Sequence, residues 1–296
     1  MSFVFRFVFM VALIVPAFAY DWPTPDVQLV RTFGQRSGSQ VLPGVEVQTQ
    51  SPTLTAPDKG DALFVVRPGF SSVQNLPSGL GGFVAIAHED NLRTVISHVD
   101  PAPVRGGKVY QKGEPLGVAE VLPGNAESRH RVFVFDQQLD EIVNPLLVFP
   151  PLADKRDPLV FDVVAVPEAA GSTVSLFGKA QVLVGYWSIH IQVADPAPLT
   201  GSNTRPADGQ RGVYSVEAYL NGSEVFSTNL DSFQDKAGRW QIKGTSRPLN
   251  DVLPTDQVWN LGKVFINLGT NILEITVKDF QGNQAGRTFR VIGVHA

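Results

Sequence analysis

The stretch FVAIAHEDNLRTVISHVD, residues 83–100, decides the fold class. Its two apolar runs are short and rich in β-branched and aromatic residues, so they read as strands over 82–89 and 93–99. The same signature returns at 61–66 (DALFVV) and 130–136 (HRVFVFD). Turn-forming runs separate these segments: APDKG, LPSGLGG, RGG, QKGEPLG and VLPGNAE. No segment sustains a helical period over three turns, and QQLDEIVNPL (137–146) offers at most one short turn before Pro145. The chain is expected to be all-β.

Working outward, the apolar pattern breaks at FPPLADKRDP, residues 149–158, where prolines and charges take over. A second set of strands follows. Within it AYLNGSEVF (218–226) reads as a hairpin with Asn221-Gly222 at its tip, the pair that best tolerates the positive φ of a type I′ turn. About seven short strands in the remaining length suggest an immunoglobulin-like sandwich. The polar stretch 195–212, DPAPLTGSNTRPADGQRG, reads as an inserted floppy loop. At the other end MSFVFRFVFMVALIVPAFA has the form of an export signal cleaved between Ala19 and Tyr20. The organisation expected is therefore a signal peptide over 1–19, a first domain over 20–153 and a sandwich over 154–296.

Composition fits this outline. The 296 residues are 43% hydrophobic and 18% charged, a globular balance. A net charge of −4 argues against nucleic acid as a partner. With no cysteine there are neither disulfides nor thiolate metal ligands. Beyond the leader, no segment is apolar enough to span a bilayer. The expected location is secreted or periplasmic, with no transmembrane segment after cleavage.

Five histidines are present, at 88, 98, 130, 190 and 295. His190 and His295 read as structural or incidental. Neither H-E-x-x-H, G-x-S-x-G nor a phosphate loop occurs. A catalytic zinc would need histidine and carboxylate in one pocket. In FGQRSGSQVLPGVEV, Gly34 and Arg36 precede Leu42-Pro43-Gly44-Val45-Glu46. LTAPDKGDALFV, LGGFVAIAHEDNLRTVISHV and VRGGKVYQKGEPLGVAE then follow in order, and His130-Arg131-Val132-Phe133-Val134 precedes Val143-Asn144-Pro145-Leu146. This ordered series resembles the LytM/lysostaphin-type zinc endopeptidases, which cut peptide cross-links of bacterial cell wall, and it covers roughly residues 30–150.

The resemblance implies three zinc ligands, falling on Leu42, Glu46 and Val132. Two of these are apolar, and one carboxylate cannot hold zinc against water. The resemblance also implies that His98 and His130 flank the metal-bound water. Without a metal to lower that water's pKa they have no nucleophile to assist. His98 then reads as a groove-wall residue, hydrogen-bonded to His130 or to backbone. Arg36, Leu42, Glu46 and Val132 would line the same groove. His88 reads as a surface or scaffold residue.

The second half carries LGTNILEITVKDFQGNQAGRTFRV, which resembles the closing strands of bacterial immunoglobulin-like modules. Asp279 is placed to cap the turn at Gly282-Asn283. Ile272, Leu273, Ile275 and Val277 cannot share one side, so that strand is expected to be buried on both faces or bulged.

Three functions stay open at this point. The first is a pseudoenzyme that binds peptidoglycan or a wall hydrolase, with no cofactor. The second is an active but divergent zinc endopeptidase with a site rebuilt from Glu46, His98 and His130. The third is a purely structural envelope protein.

Overall fold

The computed structural model describes residues 20–38, 40–68, 80–101, 103–120, 128–168, 171–196 and 210–295. The leader segment 1–19 and the interior of the polar loop, 197–209, lie outside these residues. The fold is all-β: strands dominate, and the helical elements are one 3-10 turn at Pro145–Leu147 and one short helix at Leu249–Val252 among the described residues. None of the described helices is long and apolar enough to cross a membrane.

A ten-stranded sheet organises the first half. Its hub is the strand Ser128–Asp136. One edge of the hub pairs antiparallel with Leu92–Ser97. The other edge is shared: residues 128–132 pair with Val45–Thr49, and residues 134–136 pair with Glu141–Val143. The backbones approach closely here, because a Cβ on Gly44 would meet the Val132 carbonyl oxygen at 2.5 Å. A side chain at residue 44 would therefore push the chain off the hub strand.

The sheet does not stop at residue 153. Glu141–Val143 pairs antiparallel with Ser232–Lys236, which continues into Arg239–Ile242. The Glu141 carboxylate anchors this junction, accepting from Ser232 Oγ at 2.6 Å and Lys243 Nζ at 3.0 Å. Phe33 and Phe233 stack across it with centroids 4.1 Å apart. Each is 1% exposed, and both belong to the same apolar cluster as the sandwich interior. The two parts of the chain are therefore joined through one sheet, and Phe33 and Ile142 of the first belong to the apolar cluster of the second, while most of the first half's buried residues pack in clusters of their own.

Beyond the junction two five-stranded sheets face each other. Leu159–Pro167, Gly185–Pro196 and Val258–Ile266 form the centre of one, and Ser215–Leu220, Gly269–Lys278 and Gln284–Val294 that of the other. Alternate residues point inward: Ile189, Ile191 and Val193 from one sheet, Leu273, Ile275 and Val277 from the other, none more than 1% exposed. That alternation corrects the expectation for 272–277. Ile272 simply faces the opposite side, half-buried, with no bulge against either neighbour. The Asn221-Gly222 hairpin forms as expected, with φ of 53° and 80°. Asp279 caps its turn, accepting from Asn283 N at 2.9 Å and from Asn283 Nδ2 at 2.7 Å. The polar loop is anchored at its ends, where Asp195 pairs with Arg211 and Pro196 with Gln210.

Candidate functional site

The pleat of the hub strand sorts the suspected site residues onto two faces. His130, Val132 and Val134 point one way, opposite Val47, Val45 and Val143. This face is closed: Val132 and His130 are 0% exposed, and Val132 packs with Val45, Val47, Leu146 and Phe149. Arg129 and Arg131 point the other way, with Arg131 directly opposite Glu46.

On that second face the Glu46 carboxylate is held by arginines. Arg131 Nε donates to Oε2 at 3.0 Å, Arg129 Nη1 lies 3.6 Å from Oε1, and Arg31 Nη1 lies 4.0 Å from Oε2. The Glu46 side chain is 8% exposed, so these cations replace water around a charge that burial would otherwise penalise. Arg31 and Arg131 are themselves part-exposed.

His130 is fully enclosed, and neither ring nitrogen finds a hydrogen-bond partner. Burial pushes its pKa down to about 3, so the ring is neutral at any ordinary pH. It therefore does not line a groove, and of the two partners expected for His98, His130 or backbone, His130 is not one.

His98 sits where the Leu92–Ser97 strand ends, in the left-handed region with φ of 59°. Two backbone bonds fix it there: its N–H donates to Leu80 O at 3.0 Å, and its carbonyl accepts from Glu120 N at 2.8 Å. The ring is part-exposed, with Nδ1 3.8 Å from Glu120 Oε2. Burial lowers its pKa and the Arg131 charge lowers it further, against the opposing pull of Glu120. Glu120 had no signal in the sequence, because its approach depends on backbone at Gly81 and Gly82 that only the folded chain supplies. His88 is a scaffold residue, bonded through Nδ1 to Lys59 O and through Nε2 to Thr94 Oγ1, each at 2.9 Å.

These residues do not fit zinc. Leu42 and Val132 are buried and offer no lone pair. Glu46 lies on the face opposite Val132 and His130, and its oxygens already serve guanidinium groups. Glu46, His98 and His130 do not bring ligand atoms together; among the described residues the group that does is Asp154, Asp195 and Asp279. The rebuilt Glu46/His98/His130 site is thus corrected by strand register. Arg36 is corrected too. It is 8% exposed and reaches into the second half, donating through Nη1 to the carbonyls of Leu253 and Pro254 at 2.9 Å and through Nη2 to Asn250 Oδ1 at 2.7 Å. It clamps the two halves instead of lining a groove.

Open space lies elsewhere. A cleft of about 640 Å³ runs between Val41 and Pro43 on one side and Trp240, Pro248 and Asn250 on the other. A second, of about 510 Å³, is bordered by Leu63, Phe64, Arg93, Phe135 and Trp240. Trp240, 45% exposed, borders both. Sequence reasoning missed it, since a lone tryptophan in a polar hairpin carries no periodic signal.

A model of an uncharacterised protein family matches residues 158–292. No curated protein matches the chain. Similar solved structures include a zinc-containing peptidase from Vibrio cholerae, 16% identical with a TM-score of 0.35, covering 47% of this chain and 41% of that one. The chain thus spans well under half of that peptidase. The SpoIIQ–SpoIIIAH pore-forming complex is 14% identical with a TM-score of 0.34, covering 44% of this chain and 92% of that one. Lysostaphin is among the similar structures. It is 9% identical with a TM-score of 0.35, covering 79% of this chain and 87% of that one. At such scores these likenesses do not bear on activity.

Proposed function

We propose that the chain is an exported envelope protein of LytM-like lineage that binds cell-wall peptide, or a wall hydrolase, and does not cut. The observation carrying this reading is the fate of the three ligand positions. Leu42 and Val132 are buried, Val132 among apolar side chains, and Glu46 is turned to the other face and held by Arg31, Arg129 and Arg131. The cleft beside Pro43 and Trp240 is the best place for a ligand. Its volume of about 640 Å³ lies within the usual range for small ligands and short peptide segments, and an exposed tryptophan on its wall is a common anchor.

The test is a sedimentation assay of the full chain with purified peptidoglycan, run beside an assay for released fragments. The expected result is retention on the wall, weakened about tenfold by Trp240→Ala, with no fragments released whether or not zinc is added. Fragment release that His98→Ala abolishes would overturn the reading in favour of a divergent endopeptidase. Lack of retention on the wall, together with no capture of a purified wall hydrolase by the full chain, would leave a purely structural role.

A further inference from the structure

Three carboxylates meet where the connection between the two halves crosses the sandwich. Asp154 belongs to that connection, Asp195 lies near the end of the Gly185–Pro196 strand, and Asp279 opens the turn before Gln284–Val294. One oxygen of each lies within 4.8 Å of the others. All three are enclosed: the Asp154 side chain is 3% exposed, and Asp195 and Asp279 are 2% exposed.

Their partners are unequal. Asp154 Oδ2 meets Arg211 Nη1 at 2.9 Å, and Asp279 accepts from Asn283 through both oxygens. Asp195 Oδ1 has no hydrogen-bond partner, although it is sealed from solvent. A buried carboxylate oxygen with nothing to bond is among the costlier features a fold can carry.

We propose that Asp154, Asp195 and Asp279 together hold one divalent cation of the calcium class, which fastens the connection at residue 154 onto the sandwich. The donors are all hard oxygens, which suit calcium or magnesium and not zinc or copper. Calcium–oxygen bonds of about 2.3–2.6 Å put donors on opposite sides of the ion up to about 5 Å apart, so the observed spacing fits one ion. Arg211 bonds one of the three carboxylates and Arg156 adds a weaker attraction at Asp195, which leaves at least one negative charge for the ion to balance. Magnesium–oxygen bonds of about 2.0–2.1 Å put opposite donors only about 4.2 Å apart, a tighter grouping than atoms that lie within 4.8 Å of one another require.

The experiment uses the full chain stripped with a chelator and returned to calcium, with calorimetry and thermal unfolding as readouts. The expected result is one calcium per chain and a thermal midpoint about 5 °C higher at saturation, with a weaker response to magnesium. Asp195→Asn should abolish both the heat and the shift while its midpoint in chelator stays at or above that of the parent. Asp279→Asn, tested in parallel, should do the same to the binding heat if the first variant does not fold. An unchanged midpoint with no binding heat would overturn the proposal. So would an Asp195→Asn protein that keeps the full calcium response, or a stronger response to magnesium than to calcium.

Discussion

Glu46 and Asp195 are both carboxylates on strands, 6% and 2% exposed, and their surroundings are inverted. Around Glu46 three guanidinium groups converge on one carboxylate. Around Asp195 two further carboxylates converge, with Arg211 bonded to one of them and Arg156 a weaker attraction. The first arrangement compensates its carboxylate with the chain's own side chains and leaves positive charge in excess. The second has anionic charge to spare and a bare oxygen. A buried carboxylate can thus be closed by arginines, while a cation-binding arrangement stands at a junction where no motif announces it. Burial alone does not distinguish the two; the sign of the surplus charge does.

The sharpest way to probe the closed face is through His130. Its folded pKa of about 3 lies below the ordinary 6.5, so between those values the unfolded chain binds a proton that the folded one refuses. Stability is therefore fully present above about pH 6.5 and is lost as the pH falls toward 3. The loss is on the order of 4 kcal/mol across that window. His130→Leu should flatten this part of the acid limb in urea unfolding series run at successive pH values. If parent and variant lose stability in parallel, His130 is not sealed as described.

The arginine cluster gives the next largest effect. Glu46→Gln keeps the shape and removes the charge that Arg129 and Arg131 face. Breaking a buried pair leaves its partner uncompensated, and the cost expected is about 3 kcal/mol, reduced to the extent that Arg31 and Arg131 reach solvent. Chemical unfolding at neutral pH reads this directly. A change below about 0.5 kcal/mol, the scale of an exposed ion pair, would mean the cluster is a solvated one.

How far such behaviour was legible in the sequence differs between the elements. Strands such as Leu92–Ser97 were readable because β-branched residues in short runs bounded by turns carry a local signal, and Asn221-Gly222 fixed its hairpin through its own backbone preference. The lack of a metal-binding atom was readable at Leu42 and Val132, where an apolar side chain is decisive by itself. The orientation of Glu46 was not, because it depends on register with Arg131, 85 residues away. The same holds for the division at residue 153. Pairing of Glu141–Val143 with Ser232–Lys236 joins segments about ninety residues apart through the hydrogen bonds of Glu141, and neither strand advertises the other. Asp154, Asp195 and Asp279 each sit in ordinary turn or strand-end contexts, so only the fold makes them a group.

The last prediction sets the two carboxylates directly against each other. In the presence of chelator, neutralising Asp195 should change stability with the opposite sign to neutralising Glu46. Asp195→Asn removes the repulsion from Asp154 and Asp279 and gives up the weaker attraction of Arg211 and Arg156. Charges about 4 Å apart interact by about 4 kcal/mol at the effective dielectric of a protein site. Most of that cancels between the two signs, which leaves an expected gain of about 1 kcal/mol. Glu46→Gln has no such repulsion to relieve. Urea unfolding of both variants beside the parent, at pH 8 in chelator, would display one gain and one loss. Two losses of similar size would show that the surplus negative charge around Asp195 is already neutralised within the chain, and would erase the contrast between the junction and the closed face.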